Sequence, residues 1–370
     1  MEQPVRIGIV GCGDVLAGAY ASQIKRLQAA GRVEVLAACD LDAGKRHFVE
    51  RTFPGAVFTT EFPALISGDV DLVMVLTAMG AHGPITRAAL QAGKHVLVEK
   101  PMAVTLKEGQ ELVALAAQSP GYLVCAPFVL LSPTYREIWT RIRQGDVGKV
   151  VLARARYGWT GPWWGPWFYR QGGGVLFDLA VYNITSLTGL LGPARRVTAM
   201  TGTAIPERKV DGEQVAVEIE DNAHLLLDFG NSVFAVVTTG FTMQRYRSPA
   251  IELYGTEGTI QMLGDDWAPE GYEIWQNGAP GWHVVDEVDR NWLWTDGLQH
   301  AVDSIQHGVP PLIRPEHAYH VLEIMIKAQQ AGKDGRARLI ESKFDLPDLS
   351  ASHERVSAHL VSDDRHERFS

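Results

Sequence analysis

The sequence predicts an α/β protein in which a doubly wound parallel sheet is followed by an α+β domain with a large, mostly antiparallel open sheet. Three observations support this prediction. Short apolar runs alternate with helical patterns in the first 125 residues, apolar runs of period two follow one another directly after residue 150, and 370 residues suffice for two domains. We expect the domains to cover residues 1–126 and 127–346, followed by a polar C-terminal tail over residues 347–370.

Helices with readable start and stop signals separate the predicted strands of the first domain. Pro84 stands in the first turn of one helix, and Gly93 lies past its end. Thr105-x-x-Glu108 is a capping box that starts the next helix. Alternation of strand and helix is typical of a parallel sheet, whose strands we expect over residues 5–10, 33–39, 71–77, 95–99 and 122–126.

The second domain is predicted from strands that have no helix between them. Turn signals at Gly230-Asn231 and between Gly255 and Gly258 separate neighbouring strands, which favours antiparallel pairing. A helix from about residue 315 to residue 331 closes the domain. The strands are expected over residues 150–157, 196–204, 215–229, 232–241, 251–263 and 272–276.

Charge and composition exclude several function classes. A net charge of −9 disfavours a nucleic-acid or membrane-surface partner, since both need a basic surface. No apolar run is long enough to span a membrane, and the first strand begins too early for a signal peptide, so we expect a cytoplasmic protein. The three cysteines, Cys12, Cys39 and Cys125, are widely separated, and no histidine motif accompanies them, so no metal site is expected.

A glycine-rich turn after the first strand predicts a dinucleotide-binding Rossmann domain. The strand runs into Gly11-x-Gly13, a helical pattern follows, and the second strand ends at Asp40. Such a turn lets a pyrophosphate approach a helix N-terminus, and the acid can accept hydrogen bonds from the adenosine ribose. Asp40 favours NAD over NADP because its charge repels a 2′-phosphate, whereas Lys45 and Arg46 keep NADP open. The alternative is a tight glycine turn without a ligand.

The turn departs from the usual fingerprint at its third glycine position, which Leu16 occupies. That glycine normally allows close helix–strand packing, so we expect Leu16 either to push the helix out slightly or to turn aside, with Gly18 as a candidate for relief. Asp14 and Val15 follow the glycine pair and complete the candidate cofactor-binding turn.

Lys100 stands at the carboxyl end of the predicted strand 95–99, within Glu99-Lys100-Pro101. In an open α/β sheet ligands bind at that edge, so a lysine there can meet a cofactor or a reacting hydroxyl. The alternative is a surface lysine at a strand end.

A second cluster of polar residues follows Gly172-Gly173-Gly174. Asp178 and Tyr182 are four residues apart on a largely apolar helix, so they project from one face. Buried polar groups on such a helix must be hydrogen-bonded or functional. The alternative is a structural hydrogen-bonded pair or a solvated face.

Taken together, these motifs resemble the glucose–fructose oxidoreductase, inositol dehydrogenase and MocA (Gfo/Idh/MocA) family. They occur in the family's order and rough spacing, and the resemblance extends to about residue 344. The Glu-Lys-Pro and Gly-Gly-Gly-x-x-x-Asp pieces are specific, whereas the glycine pair is not. The matching pieces are Gly11-x-Gly13, Asp40, Thr77-x-x-x-x-His82, Glu99-Lys100-Pro101, Gly145-x-x-Gly148 and Gly172 through Asp178 and Tyr182.

The resemblance implies a nicotinamide cofactor in the first domain and hydride transfer at a hydroxyl carbon of a sugar, cyclitol, glycoside or related small molecule. Lys100 would orient substrate and cofactor, and Asp178 would hold the reacting hydroxyl. Tyr182 stands where the commonest family motif has histidine, as in branches that resemble the dihydrodiol dehydrogenases. A homodimer or homotetramer is expected by the same analogy. Further cofactor-binding candidates are Thr77, His82 and Glu99.

Tyr182 is our candidate general acid/base. A free tyrosine has a pKa of about 10 and is a poor base at neutral pH, but a neighbouring ammonium could lower the pKa by about 1–3 units. Lys100 is the candidate for that ammonium, which would bring Tyr182 near the range that general acid–base catalysis favours.

Aromatic residues before the glycine run are weaker substrate candidates, because aromatic faces stack on sugar rings. Core packing or an oligomer contact is the alternative, and for His82 the alternative is a structural histidine at a helix start. The substrate candidates are Trp163, Trp164, Trp167, Tyr169 and His300.

Two rival functions remain open at this point. One is a cofactor-binding regulator without catalysis, although the presence of Lys100, Asp178 and Tyr182 argues against it. The other is an enzyme that retains NAD and cleaves a glycosidic bond by transient oxidation, which would release an aglycone without net NADH.

Overall fold

The structure, a computed structural model, describes residues 3–286 and 289–350. Its first domain is a six-stranded parallel sheet in the order β3-β2-β1-β4-β5-β6. The order reverses between β1 and β4, and in such sheets the crevice at that point binds ligands. The strands are β1 (Val5–Val10), β2 (Val33–Cys39), β3 (Val57–Thr59), β4 (Leu72–Val75), β5 (His95–Val98) and β6 (Leu123–Cys125). The helices are α1 (Ala21–Ala29), α2 (Arg46–Thr52), α3 (Phe62–Ile66), α4 (His82–Gln91) and α5 (Leu106–Ala116).

The second domain is built on a nine-stranded sheet in the order β16-β15-β14-β13-β7-β12-β11-β8-β17. Only the β7–β12 pair is parallel within this sheet. Its strands are β7 (Val150–Gly158), β8 (Arg196–Gly202), β11 (Asn222–Gly230), β12 (Val233–Gly240), β13 (Ile251–Gly255), β14 (Gly258–Asp265), β15 (Ala268–Gln276), β16 (His283–Val285) and β17 (Arg338–Leu339). A separate hairpin contains β9 (Glu207–Val210) and β10 (Glu213–Ala216). The helices are α6 (Pro133–Gln144), α7 (Val181–Leu191), α8 (Gly297–His307) and α9 (Pro315–Asp334).

Helix α7 lies in the middle of the molecule. It packs on β7 and β12 of the large sheet and on α9, which in turn contacts α5 of the first domain. Every residue from Val181 to Leu190 is buried. A helix that is buried on every side packs against neighbouring elements all round, and its polar side chains, such as Asn183 and Ser186, need hydrogen-bond partners inside the protein. Side chains on α7 can therefore meet the carboxyl edge of the parallel sheet.

The predicted α/β architecture is confirmed, although the short strands β3, β9, β16 and β17 were not predicted and one predicted strand is divided. The strand β3 was not expected, since three residues carry too little periodicity to be recognised. The predicted strand 215–229 is divided between β10 and β11, which belong to different sheets. The capping signals are present as predicted: the Thr105 hydroxyl accepts a hydrogen bond from the Glu108 amide at 3.2 Å.

The first residues of the predicted C-terminal tail lie against the second domain. Leu349 is buried, and its carbonyl oxygen accepts hydrogen bonds from the Arg136 guanidinium on α6 at 3.1 and 3.3 Å. The rest of the predicted tail, residues 351–370, lies outside the described residues. In the described ranges, no helix combines the length and the apolar composition needed to cross a membrane.

Candidate active site

Glycine is needed at the two positions after β1, Gly11 and Gly13, for different structural reasons. Gly11 has a φ of +100°, and a Cβ there would lie 2.6 Å from the carbonyl group of Leu76 at the end of β4. Only glycine permits that backbone conformation and that close approach of the two strand ends. A Cβ on Gly13, by contrast, would meet no atom within 4 Å. The second glycine therefore faces open space, as a surface for a pyrophosphate requires.

The helix after this turn begins as a π-helical segment, Leu16–Tyr20, before continuing as α1. Leu16 is fully buried, so the leucine in the third glycine position is accommodated inside the domain. Gly18 is exposed and a Cβ there would meet no atom within 4 Å, so its position does not support the relief of helix–strand packing that we had considered. Asp14 and Val15 are exposed beside Gly13.

Asp40 follows β2 at the same edge of the sheet. One carboxylate oxygen accepts a hydrogen bond from the Cys12 amide at 2.7 Å, and the other accepts from the Asp42 amide at 2.9 Å. A carboxylate oxygen can accept more than one hydrogen bond, so both retain capacity for ribose hydroxyls. The guanidinium of Arg46 lies over the Phe58 ring at 5.0 Å and within 4.0 Å of Glu50.

Glu99 connects the helical segment that carries Tyr20 with the end of β5, where Lys100 lies. It is buried, and it accepts a hydrogen bond from the Tyr20 hydroxyl at 2.7 Å and from the Lys100 amide at 3.2 Å. Burial and the Glu99 charge raise the pKa of Tyr20, so its phenol remains a donor. This pair fixes the backbone from which the Lys100 side chain extends.

The structure brings together Lys100, Asp178 and Tyr182. The Lys100 ammonium donates to a carboxylate oxygen of Asp178 at 2.6 Å and to the backbone carbonyl of the same residue at 2.8 Å. It lies 5.1 Å from the centre of the Tyr182 ring. All three side chains are largely buried at the junction of the two domains. The two segments that carry them, 78 residues apart in sequence, therefore form one site.

One expectation about this cluster is wrong. Burial, followed by the charges of Glu99, Asp178 and Asp266, raises the pKa of Tyr182 well above its ordinary value. We had expected Lys100 to lower that pKa, but its ammonium is bound to Asp178 and faces the ring of Tyr182. The phenol is therefore held in its protonated form in this structure.

A second π-helical segment, Leu176–Ala180, carries Asp178 and leads into α7. Such segments replace the usual hydrogen-bond pattern and are frequent at functional sites. Glu220 lies at its start, where the carboxylate accepts hydrogen bonds from the Leu176 amide and from the Gln329 side chain at 3.0 Å. A Cβ on Gly174 would lie 2.9 Å from this carboxylate, which explains that glycine of the triple run. Sequence analysis did not single out Glu220.

His82 has a structural position rather than an open one. It is buried, and its two ring nitrogens lie 2.8 Å from the carbonyl oxygen of Pro101 and 2.9 Å from that of Thr77. Burial lowers the pKa of this histidine. The side chain therefore ties the loop after β4 to the loop after β5, which favours the structural alternative for His82. Thr77 itself is half-buried at the crevice.

Three further residues, which sequence analysis did not identify, support the site from the large sheet. The ring of Tyr157, at the end of β7, contacts Tyr182 edge-on with centres 5.6 Å apart, and Trp267 lies 6.0 Å behind it. Asp266, next to Trp267, accepts hydrogen bonds from Asn183 and from Ser186, both at 2.9 Å, on α7. Burial raises the pKa of Asp266 to about 6. Tyr157 is the last residue of the predicted strand 150–157, but no local signal links residues 266 and 183.

The aromatic candidates divide into exposed and buried members. Trp163 and Trp167 are 66% and 44% exposed, and Trp164 is partly buried beside them. Tyr169 is buried and donates to the Pro162 carbonyl at 2.6 Å, so it packs in the core instead of facing a substrate. His300 is also buried, and its Nε2 accepts from the Leu312 amide at 2.8 Å. Its position favours a structural role over the substrate contact that we had considered.

Metal-ligating side chains do not form a cluster within residues 3–286 and 289–350. No group of three or more histidine, cysteine, aspartate or glutamate side chains there could hold an ion. The three cysteines are buried free thiols.

Comparison with protein families adds the decisive observation. Residues 5–125 match the family model described as "Oxidoreductase family, NAD-binding Rossmann fold", and residues 135–261 match the GFO/IDH/MocA C-terminal domain. The chain belongs to the Gfo/Idh/MocA oxidoreductase family. The resemblance inferred from the motifs is thereby confirmed, and with it the nicotinamide-binding character of the first domain and the class of enzyme.

Relatives and structural neighbours of this chain are named as dehydrogenases of several small molecules. The chain is 26% identical over 340 residues to a trans-1,2-dihydrobenzene-1,2-diol dehydrogenase of Macaca fuscata fuscata, covering 88% of this chain and 96% of the relative. It is 24% identical over 327 residues to a scyllo-inositol 2-dehydrogenase (NADP(+)) of Bacillus subtilis, covering 79% and 86%. The structure of levoglucosan dehydrogenase with NADH and levoglucosan has a TM-score of 0.81 at 18% identity, covering 92% of this chain and 100% of the other.

Proposed function

We propose that this oxidoreductase transfers a hydride between NAD(H) and a hydroxyl carbon of a sugar, cyclitol or glycoside, with Tyr182 as the general acid/base. The observation that carries the proposal is the convergence of Lys100, Asp178 and Tyr182 beside the dinucleotide crevice. An ammonium, a carboxylate and a phenol are the groups needed to bind a hydroxylated carbon and to move its proton.

The residues at the carboxyl edge fit a dinucleotide. Gly13 leaves open space beside the helix start, and Asp40 has carboxylate capacity for ribose hydroxyls. NAD(H) is favoured over NADP(H), because Asp40 would repel a 2′-phosphate and the Arg46 guanidinium is engaged with Phe58 and Glu50. The bound nicotinamide accepts or supplies the hydride, and titration with NADH and NADPH measures the preference.

The protonated phenol of Tyr182 suits the direction of carbonyl reduction. In that direction it donates its proton to the substrate oxygen as the carbon gains the hydride, so that an alcohol forms. The Lys100 ammonium donates a hydrogen bond to the same oxygen and stabilises its developing negative charge. Asp178 holds Lys100 in place and accepts a hydrogen bond from a neighbouring substrate hydroxyl. Alcohol oxidation needs the phenolate, so it is expected to become faster as the pH rises.

Replacement of Tyr182 by phenylalanine tests this assignment. Because the variant Tyr182→Phe removes only the phenolic hydroxyl, which carries the transferable proton, we expect kcat to fall by about 10²–10⁴-fold with little change in NADH affinity. The measurement is steady-state turnover on a panel of polyols and sugars, with calorimetric titration of NADH. Tyr254→Phe, which alters a hydroxyl bound to Glu252 on the large sheet, is the control and should turn over normally.

Unchanged turnover of Tyr182→Phe would exclude Tyr182 as the acid/base. If the wild-type protein binds NADH but no compound of the panel changes nicotinamide absorbance, a regulator without catalysis is the better description. Release of an aglycone from a glycoside without net NADH would instead indicate cleavage by transient oxidation.

A further inference from the structure

Four aromatic side chains, which we call the wall, extend from Tyr182 toward solvent: Tyr157, Trp159, Trp164 and Trp163. The ring of Tyr157 contacts that of Tyr182. Trp159 lies two residues further along, and its amide donates to the Gly240 carbonyl, so the extended pairing with β12 continues to this residue. The side chains of Tyr157 and Trp159 therefore project from the same face of the sheet. The ring centre of Trp159 lies 5.6 Å from that of Trp164, which is 4.8 Å from Trp163. These spacings are those of packed aromatic pairs.

The backbone at the outer end of this wall is held by hydrogen bonds, although the Trp163 side chain is exposed. The Trp163 carbonyl accepts from the Asp211 amide at 2.8 Å, and the Asp211 carboxylate accepts from the Gly165 amide at 3.1 Å. Asp211 lies in the turn between β9 and β10, so that hairpin supports the tryptophans. The Arg208 guanidinium donates to the Thr160 carbonyl at 2.6 Å from the same hairpin. A fixed, exposed apolar surface is what a binding site presents to its ligand.

The wall is also joined to the catalytic helix through the backbone. The Gly174 amide donates to the Phe168 carbonyl at 2.8 Å, and the Gly174 carbonyl accepts from the Asp178 amide at 3.1 Å. Two backbone hydrogen bonds, both made by Gly174, thus connect the tryptophan segment with Asp178, the residue that binds Lys100. Arg170 and Gln171 lie exposed between the tryptophans and the glycine run, where they can bind ring hydroxyls.

We propose that Trp163 and Trp164 form an outer subsite for a second ring, so that the preferred substrate is a two-ring glycoside. The inference rests on the proposed function, since the first ring must occupy the site at Lys100 and Asp178. The second ring then stacks on Trp163, as apolar faces of sugar rings do on aromatic side chains. Binding there is made equally in the ground state and the transition state, so it lowers KM and leaves kcat unchanged.

Matched pairs of monosaccharide and disaccharide test the subsite, with glucose and cellobiose, galactose and lactose, and mannose and mannobiose as the probes. For the pair that is oxidised with NAD, we expect Trp163→Ala to raise the KM of the disaccharide about tenfold at constant kcat. The KM of the monosaccharide should not change. Trp282→Ala is the matched control, because Trp282 is 45% exposed and contacts Trp275 away from this wall.

Calorimetric titration of the same sugars into the NADH-bound protein separates the two proposals. Disaccharide binding that Trp163→Ala abolishes, without hydride transfer in the wild type, upholds the subsite and overturns the proposed reaction. Hydride transfer with equal KM for both members of each pair overturns the subsite and upholds the reaction. If the sugars neither bind nor are turned over, both proposals are overturned. A change in oligomeric state of Trp163→Ala, with sugar kinetics unaltered, would identify the tryptophans as an interface between copies and overturn the subsite.

Discussion

The ammonium of Lys100 has a fixed position because both oxygens that accept its hydrogen bonds belong to Asp178. A largely buried ion pair of this kind contributes little net stability, since desolvation opposes the attraction, but removing one partner leaves an unpaired charge and costs about 3–5 kcal/mol. A substitution at Lys100 or Asp178 therefore changes the stability of the protein as well as its turnover, and the two effects cannot be separated. Tyr182 and Asp266 are better probes, because neither takes part in an ion pair within the described residues.

At the residue scale, Asp266 contributes to the proton affinity of Tyr182, after burial and the charges of Glu99 and Asp178. Its charge is one cause of the raised pKa of Tyr182, and its own pKa of about 6 means that the charge is present at neutral pH and above. We expect the neutral variant Asp266→Asn to shift the alkaline rise of alcohol oxidation to lower pH, because one of the charges that raise the pKa of Tyr182 is removed. The measurement is the pH profile of kcat/KM for oxidation.

Glu137→Gln is the control for this experiment, since Glu137 binds Tyr272 on β15 and is not among the charges that affect the pKa of Tyr182. An unchanged profile in Asp266→Asn would show that Asp266 acts only as a support for α7, through Asn183 and Ser186. One carboxylate oxygen of Asp266 has no hydrogen-bond partner among the described residues. The amide nitrogen of Asp266→Asn can take that place, so the variant removes the charge and keeps the hydrogen bonds to Asn183 and Ser186.

At the scale of elements, the two glycines of the turn after β1 allow stability and cofactor binding to be tested separately. Gly11→Ala places a Cβ 2.6 Å from the Leu76 carbonyl group at a positive φ, so we expect a loss of about 3 kcal/mol in the free energy of unfolding. Gly13→Ala meets no protein atom and should change stability by less than about 0.5 kcal/mol. Its Cβ occupies the space in front of the helix start, so NADH affinity should fall at least about tenfold.

Urea unfolding and NADH titration of the two variants measure these effects, and each variant serves as the control for the other. Wild-type NADH affinity in Gly13→Ala would contradict the placement of the pyrophosphate at this turn. Wild-type stability in Gly11→Ala would mean that the ends of β1 and β4 can separate without cost.

At the scale of the whole molecule, buried histidines make the fold sensitive to acid. Burial lowers the pKa of His317 to about 3 and that of His320 to about 4, whereas both have ordinary values near 6.5 when unfolded. Below pH 6.5 the unfolded chain binds protons that the folded chain does not. Each histidine therefore removes about 1.4 kcal/mol of stability per pH unit as the pH falls toward 4.

Urea midpoints measured from pH 7 to pH 4 test this prediction. Asp266 acts in the opposite sense, because its raised pKa lets the folded protein hold a proton that the unfolded chain loses. The comparison is therefore made between variants: His320→Gln should show a shallower loss than the wild type, and His283→Gln, which alters an exposed histidine, should not. Equal slopes in all three proteins would contradict the prediction.

The outer face of the nine-stranded sheet carries an exposed apolar patch that we propose is covered by a second copy of the chain. Leu152, Leu226 and Phe234 are 51%, 45% and 36% exposed, and they line a concavity of about 370 Å³. Met200, on β8 of the same sheet, is 80% exposed. Leu226→Glu should reduce the molecular mass in solution to that of a monomer, measured by light scattering. Val57→Glu, at an exposed position of β3, is the control. A wild-type protein that is monomeric would exclude this interface.

The sequence by itself determined the two-domain α/β architecture, the cofactor edge and the identity of the catalytic candidates. Periodicity decides strand and helix locally, and the glycine turn, Asp40 and the Glu-Lys-Pro motif each lie within one strand end and its loop. The short strand β3 and the β9–β10 hairpin escaped detection because pairing partners, not local pattern, define them.

Only the tertiary structure decided how the candidates are arranged and which of them face a cleft. It placed the Lys100 ammonium on Asp178, raised the pKa of Tyr182 by burial and neighbouring acids, and enclosed Tyr169 and His300 in the interior. Burial and charge around a side chain depend on residues far away in sequence, such as Asp266 beneath α7. Proton affinity and exposure are therefore properties of packing, which no local sequence pattern specifies.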